Sequence, residues 1–142
     1  MSRTTSATAN DWLTLAEENA AAGEQLRSRE RLRASTSRYY YAAYQAAHAL
    51  LFTTPLKSTV PMKGNWDHSP LMNAVKDGAI RHFKFEERAA EQLRRRLRAA
   101  MDARIIADYG AGFDLDEGSF FDAQRAANDF ITLAYSKGAK GK

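Results

Sequence analysis

The sequence feature that most constrains the fold is a stretch between residues 30 and 52 that contains neither proline nor glycine. Apolar side chains would cover nearly every side of a helix over residues 37–52, because this part combines many alanines with Tyr39, Tyr40, Tyr41 and Tyr44. A helix that is apolar all round must be surrounded by neighbours. The tyrosine hydroxyls need hydrogen-bond partners where they are buried. The stretch therefore predicts the central helix of a helical bundle.

Helical periodicity predicts four further elements. They are a first helix capped by Asn10 or Asp11, a short helix over about 67–83, a long helix over 85–109 ended by Gly110, and a last helix capped by Asp116. Gly78 is a candidate interruption of the short helix. No segment shows strand-like alternation between turn signals. The predicted fold class is all-α, an up-and-down four-helix bundle with one additional short helix.

The length of 142 residues suits one domain. We place a single helical domain at residues 10–136, between a flexible N-terminal tail over 1–9 and a basic C-terminal tail over 137–142. The chain has no cysteine, and no apolar run resembles a signal peptide or a membrane span. These features predict a cytoplasmic protein that does not enter a membrane.

The chain carries a net charge of +4, and many of its arginines occur in two runs. The first run covers residues 27–33, and the second consists of Arg94, Arg95, Arg96 and Arg98. Such runs are most simply solvated helix faces. The alternative interpretation is that the second run is a patch that binds nucleic acid, since positive charge favours the approach of phosphates.

The sequence contains no glycine-rich phosphate loop, dinucleotide fingerprint, zinc-protease motif or nucleophile elbow. Its three histidines, His48, His68 and His82, lie far apart and lack the carboxylate spacing of a helical metal site. We therefore predict neither a cofactor nor a bound metal. The common classes of enzyme lose support for the same reason.

Two polar residues of the central stretch need an explanation, because an uncompensated charge is costly in a core. His48 continues a core-facing stripe through Ser37, Tyr41 and Tyr44. Its simplest role is to hydrogen-bond a tyrosine or a carbonyl, and a catalytic role is the alternative. Arg38 is most simply the partner of a carboxylate on a neighbouring helix.

Arg104 and Asp108 lie four residues apart, on one face of the predicted long helix and beside Tyr109. Arg104 continues the apolar stripe of that helix, so we expect it to face inward. The two charges could simply neutralise each other. In the alternative interpretation the planar guanidinium binds a phosphate and Asp108 orients it.

Four segments occur in the order of a known family. Residues 37–51 are similar to an SRxYYAxFxAAxALL helix, residues 68–71 to a THxGV helix start, residues 104–109 to an RxxADY ending, and residues 123–131 to a closing helix. Together they resemble small prokaryotic members of the HEPN family (higher eukaryotes and prokaryotes nucleotide-binding). The resemblance covers most of the chain.

This resemblance implies a bundle of four to five helices, frequently a homodimer, whose polar groove holds RNA or a nucleotide or docks a nucleotidyltransferase. The ligand-binding candidates in this sequence are Arg38, Tyr41, His68, Arg104, Asp108 and Tyr109. Ribonuclease members of the family carry an arginine, then four to six residues, then a histidine. No arginine and histidine here have that spacing, and Asp108 stands about where the histidine would be.

Three functions remain open. The first is a HEPN module without the usual ribonuclease centre that binds RNA, a nucleotide or a nucleotidyltransferase, as half of a toxin and antitoxin or defence pair. The second is an RNA-cleaving toxin with an atypical centre built from Arg38, Arg104, Asp108 and a histidine such as His48. The third is a non-catalytic dimeric scaffold.

These functions predict different structures. A nuclease requires a histidine near Arg104 and an open groove. A scaffold requires Arg104 and Asp108 to be fully paired and shut away from solvent. A nucleic-acid binder is expected to join the two arginine runs into one continuous patch.

Overall fold

The computed structural model describes residues 8–56, 67–110 and 115–140. Within these ranges the chain forms five α-helices and one 3-10 turn: α1 (Ala9–Gln25), the turn (Arg29–Arg31), α2 (Leu32–Leu51), α3 (His68–His82), α4 (Glu87–Tyr109) and α5 (Glu117–Ser136). The described residues contain no strand. The prediction of an all-α bundle of four long helices and one short helix is confirmed.

Helix α2 is the centre of the bundle and contacts each of the other four helices. From Ala42 onward its alanines and leucines are fully buried, including Ala43, Ala46, Leu50 and Leu51. Small side chains let the neighbouring helices approach closely, and the rings fill the remaining space. The burial confirms that residues 30–52 supply the central helix.

The ends of two helices test the predicted caps. Helix α1 begins with a capping box, in which the Thr8 hydroxyl accepts from the Asp11 amide at 3.1 Å and the Asp11 carboxylate accepts from the Thr8 amide at 2.9 Å. The predicted cap at Asn10 or Asp11 is therefore wrong, because Asp11 is the inner member of the box. The cap at Asp116 is confirmed, since its side chain accepts from the Ser119 amide at 2.7 Å.

Gly78 does not interrupt α3, which continues to His82. The residue is buried, and a Cβ atom added there would lie 3.0 Å from a methyl carbon of Leu51. Gly23 meets the ring of Tyr39 in the same way, at 3.0 Å. Both glycines therefore serve close helix packing, and the predicted break at Gly78 is wrong.

Several predicted connections fall on residues that the structure does not describe. These are 57–66 of the loop after α2, 113–114 of the connection before α5, and 1–7 and 141–142 of the two tails. The described start of the C-terminal tail packs on the domain, because Ala139 is buried and Lys140 pairs with Glu17 of α1 at 3.2 Å. None of the described helices is long and apolar enough to cross a membrane.

Candidate functional site

The most unusual polar side chain of the bundle is Arg104, which lies on α4 and faces α2. Its side chain is only 12% exposed. The guanidinium carbon lies 5.4 Å from the centre of the Tyr40 ring, 5.5 Å from that of Tyr41 and 5.9 Å from that of Tyr109. Ring faces attract a cation electrostatically. The aromatic residues of α2 and the end of α4 therefore hold the charge of Arg104 in place.

Arg104 forms the predicted ion pair with Asp108, but loosely. The Nη1 atom lies 3.6 Å from the Asp108 carboxylate, beyond hydrogen-bond distance. The hydroxyl of Ser37 lies 3.5 Å from the same carboxylate oxygen. The Nε atom of Arg104 is buried and has no hydrogen-bond partner among the described residues. The pair is thus neither fully satisfied nor fully shut away, since the Asp108 side chain is 29% exposed.

Tyr40 connects Arg104 to a histidine. The Tyr40 hydroxyl is hydrogen-bonded to Nδ1 of His68, the first residue of α3. The ring of Tyr44 also packs on the His68 ring, with centroids 4.6 Å apart. Burial raises the pKa of Tyr40 above its usual value, although the charge of Arg104 acts in the opposite direction. The hydroxyl therefore stays protonated at neutral pH, and the group of Arg104, Tyr40 and His68 joins α2, α3 and α4.

His48 lies deeper in the bundle and is fully buried. Its Nδ1 atom lies 3.0 Å from the Tyr44 carbonyl oxygen, at hydrogen-bond distance. Its ring is stacked on Trp12 of α1, with centroids 4.3 Å apart, and packs on Tyr44 at 4.7 Å. This arrangement agrees with the structural role expected for His48. His68, and not His48, is the histidine hydrogen-bonded to Tyr40, whose ring lies against Arg104.

Arg38 is not brought together with Arg104. Its guanidinium donates to the Asn19 side-chain oxygen on α1 at 3.0 Å. The Asn19 amide nitrogen in turn donates to the Gln45 side-chain oxygen at 2.8 Å. The predicted carboxylate partner of Arg38 is therefore wrong, because an amide on α1 takes that place.

The second arginine run is extensively paired. Arg94 and Arg95 bind Glu91 at 2.6 and 3.1 Å, and Arg98 binds Asp102 at 3.2 Å. Arg96 pairs with Asp129 of α5. Hydrogen bonds from Arg94 and then from Lys76 hold the pKa of Glu91 well below its usual range. All four arginines of the predicted nucleic-acid patch thus contact a carboxylate.

The first run lies elsewhere on the bundle. Arg33 donates to the carbonyls of Ile106, Ala107 and Gly110 at the end of α4. The guanidinium carbon of Arg27 lies 5.4 Å from the centre of the Phe120 ring on α5. The two runs therefore contact different partners, and the continuous patch of both runs stays a prediction.

Sequence reasoning missed Tyr40 and Ser37 as members of the site. The sequence predicts that the stripe through Tyr41 and Tyr44 is the inner face, and Tyr40 lies one position beside it. A signal existed, because Tyr40 and Tyr44 are four residues apart and share a helix face. The partner His68 lies on a different helix, so no spacing in the sequence could place the two together.

The class of protein that emerges is a helical-bundle module with a tyrosine-lined arginine site between α2, α3 and α4. The family model described as HEPN domain matches residues 9–137, nearly the whole chain. The chain belongs to the HEPN domain family. No curated protein matches the chain. Nowhere in the described ranges do three or more His, Asp or Glu side chains group as metal ligands would.

Proposed function

We propose that this HEPN module binds RNA or a nucleotide, with a phosphate held by Arg104. The observation that carries the proposal is the buried Nε donor of Arg104, which no described residue accepts from. Leaving such a donor unpaired in the folded protein costs about 1–3 kcal/mol. A phosphate oxygen would satisfy it, and HEPN domains are generally RNA-binding or ribonuclease-like modules.

The surroundings of Arg104 fit this ligand. The rings of Tyr40 and Tyr41 fix the plane of the guanidinium, and a fixed fork suits two phosphate oxygens. Tyr109 lies beside the same guanidinium and is 73% exposed. An exposed aromatic ring stacks on unpaired bases, which is how proteins commonly recognise single-stranded RNA. Asp108 lies beside the Nη1 atom of the guanidinium, so the Nε donor is not used by it.

The experiment is a titration of a short single-stranded RNA oligonucleotide into the wild type and into Arg104→Lys, followed by fluorescence anisotropy. Lysine keeps the positive charge but lacks the forked guanidinium group. We expect affinity to fall roughly tenfold, since a hydrogen bond to a charged group contributes about 1.5–3 kcal/mol. Arg81→Lys is the matched control, because Arg81 is an exposed arginine of α3 outside both arginine runs. Equal affinity of both variants and the wild type would remove Arg104 from the ligand site.

A second candidate function is RNA cleavage with His68 in place of the usual histidine. The observation that favours it is the hydrogen bond between His68 and Tyr40. The ring of Tyr40 also contacts the guanidinium of Arg104. Histidine titrates near neutral pH and is suited to proton transfer. Arg104 and Asp108 stay the other catalytic candidates, whereas the packing of His48 favours a structural role.

Cleavage is tested by incubating mixed cellular RNA with the wild type, His68→Gln and Arg104→Ala. Loss of cleavage in both variants would support an atypical ribonuclease. Intact RNA in every lane would leave a binding module. Cleavage that persists in both variants would point to a contaminating nuclease and remove this candidate.

We further propose a homodimer, or a complex with a nucleotidyltransferase, within a toxin and antitoxin or defence pair in the cytoplasm. The surface that supports an interface lies at the end of α4, where Ile105 is 43% exposed, Ile106 37% and Tyr109 73%. Clustered exposed apolar side chains are typical of interaction sites. Light scattering of the wild type and of Ile105→Glu tests the dimer, which we expect the substitution to weaken. A monomeric wild type would contradict the dimer.

A further inference from the structure

A second basic surface lies between α4 and α5. It is a cleft of about 710 Å³ lined by Arg88, Arg95, Arg96 and Arg125, with Glu91 and Asp122 also in its wall. Three of these arginines lie on α4 and one lies on α5. The two arginine runs of the sequence therefore do not predict that these four side chains lie together. We call this set of four side chains the arginine cleft.

The positive charge of the arginine cleft is only partly compensated. Arg88 and Arg125 are exposed, and neither has a carboxylate within ion-pair distance among the described residues. Arg95 binds Glu91 but is still 76% exposed. Glu91 also binds Lys76 at 3.1 Å and Arg94 at 2.6 Å, so its negative charge is shared among three cations. The cleft therefore presents free guanidinium groups to solvent.

The arginine cleft and the Arg104 site lie on opposite sides of α4. Arg95 and Arg104 are nine residues apart, which corresponds to about 180° around a helix of 3.6 residues per turn. Arg104 faces the rings of α2, whereas Arg96 contacts Asp129 of α5. A ligand in the cleft is therefore separate from a phosphate at Arg104.

We infer that the arginine cleft binds the phosphate backbone of a single-stranded nucleic acid at a site separate from Arg104. Guanidinium groups bind phosphates in forked geometry, and neutralising phosphates releases counterions. An acidic protein partner fits less well, since the core of a protein interface is largely apolar. Among the described residues that line the cleft, Ala99 is the one apolar side chain. A phosphate backbone requires no apolar surface.

The test uses the double variant Arg88→Gln/Arg125→Gln and a labelled single-stranded RNA of about a dozen nucleotides. The control is Arg81→Gln/Lys84→Gln, which removes the same charge from exposed positions outside the cleft. Each phosphate contact on a single strand contributes a salt slope of about 0.7. Loss of two contacts is therefore expected to lower the slope by about 1.4 and the affinity roughly twentyfold near 0.1 M salt. The control is expected to change much less.

Two further measurements distinguish binding in the arginine cleft from phosphate binding at Arg104. Arg104→Lys is expected to keep most of the salt slope, and adenosine monophosphate is expected to bind the double variant as it binds the wild type. An unchanged slope in the double variant, or an equal loss in the control, would overturn the inference. Equal binding of an oligoglutamate of the same charge would also overturn it and would identify the cleft as a protein-docking surface.

Discussion

Arg33 and Arg104 both lie near the end of α4, and the fold uses them differently. Arg33 reaches across from α2 and donates to three carbonyl oxygens, of Ile106 at 2.8 Å, Ala107 at 3.1 Å and Gly110 at 3.0 Å. Arg104 lies between tyrosine rings, forms one long ion pair and keeps an unpaired Nε. The last carbonyls of a helix lack partners within the helix. Arg33 therefore meets a structural need, whereas Arg104 keeps a donor that no described residue uses.

The largest effect on folding is expected from Arg33→Ala. The substitution leaves the carbonyls at the end of α4 without their charged donor. We expect the free energy of unfolding to fall by about 2–3 kcal/mol. Urea denaturation measures this, with Arg98→Ala as the exposed control. A loss no larger than that of the control would show that the contacts of Arg33 with the end of α4 do not stabilise the fold.

A smaller effect on folding is expected from Arg104→Met, which keeps much of the packing. Loss of the attraction to the rings is partly offset by removal of the unpaired donor, so we expect the free energy of unfolding to change by about 1 kcal/mol or less. Binding of RNA is expected to fall at least as far as in Arg104→Lys. A large loss of stability with intact binding would make Arg104 a structural residue like Arg33.

Tyr40→Phe tests the connection between Arg104 and His68. We expect the free energy of unfolding at neutral pH to fall by about 1 kcal/mol, because the hydrogen bond to His68 is lost. The pKa of Tyr40 is higher in the folded protein than its value of 10.0 in the unfolded chain. The resulting contribution to the free energy of unfolding is fully present below pH 10.0 and is lost as the pH rises towards the folded pKa. The variant should therefore lose stability less steeply above pH 10.0. Equal slopes in denaturation at alkaline pH would contradict this.

The smallest effect is expected from Glu91→Gln in the ion pairs of α4. The pKa of Glu91 is lowered mainly by Arg94, so its stabilisation is present above the ordinary value of 4.5 and is lost as pH falls below it. We expect only a slight drop of the melting temperature at neutral pH, and a smaller one in high salt, because the pairs are partly exposed. A drop as large as that of Arg33→Ala would show that the outer face of α4 also carries the fold.

The sequence predicts the fold better than it predicts the site, for a physical reason. The all-apolar character of α2 and the cap at Asp116 depend on neighbouring residues along the chain, so pattern reasoning finds them. The same reasoning places the pair of Arg104 and Asp108 on one helix face. It cannot pair His68 with Tyr40, because helix packing decides that contact.

Arginines illustrate the same limit. Arg33 and Arg38 both begin on α2, yet one caps α4 and the other binds Asn19 on α1. Arg95 and Arg125 share a cleft although they belong to different helices. Charge is visible in a sequence, but the partner of a long side chain is set by the arrangement of the helices.

Binding of a phosphate by the Nε donor of Arg104 is tested by NMR of the arginine side chains. The Nε–Hε signal of Arg104 is assigned by its absence in Arg104→Lys, and a short single-stranded RNA is then added to saturation. We predict that this signal shifts strongly and that its exchange with water slows. A signal that does not move at saturation, while other arginine signals shift, would show that the phosphate binds elsewhere and that Arg104 is a packed structural residue.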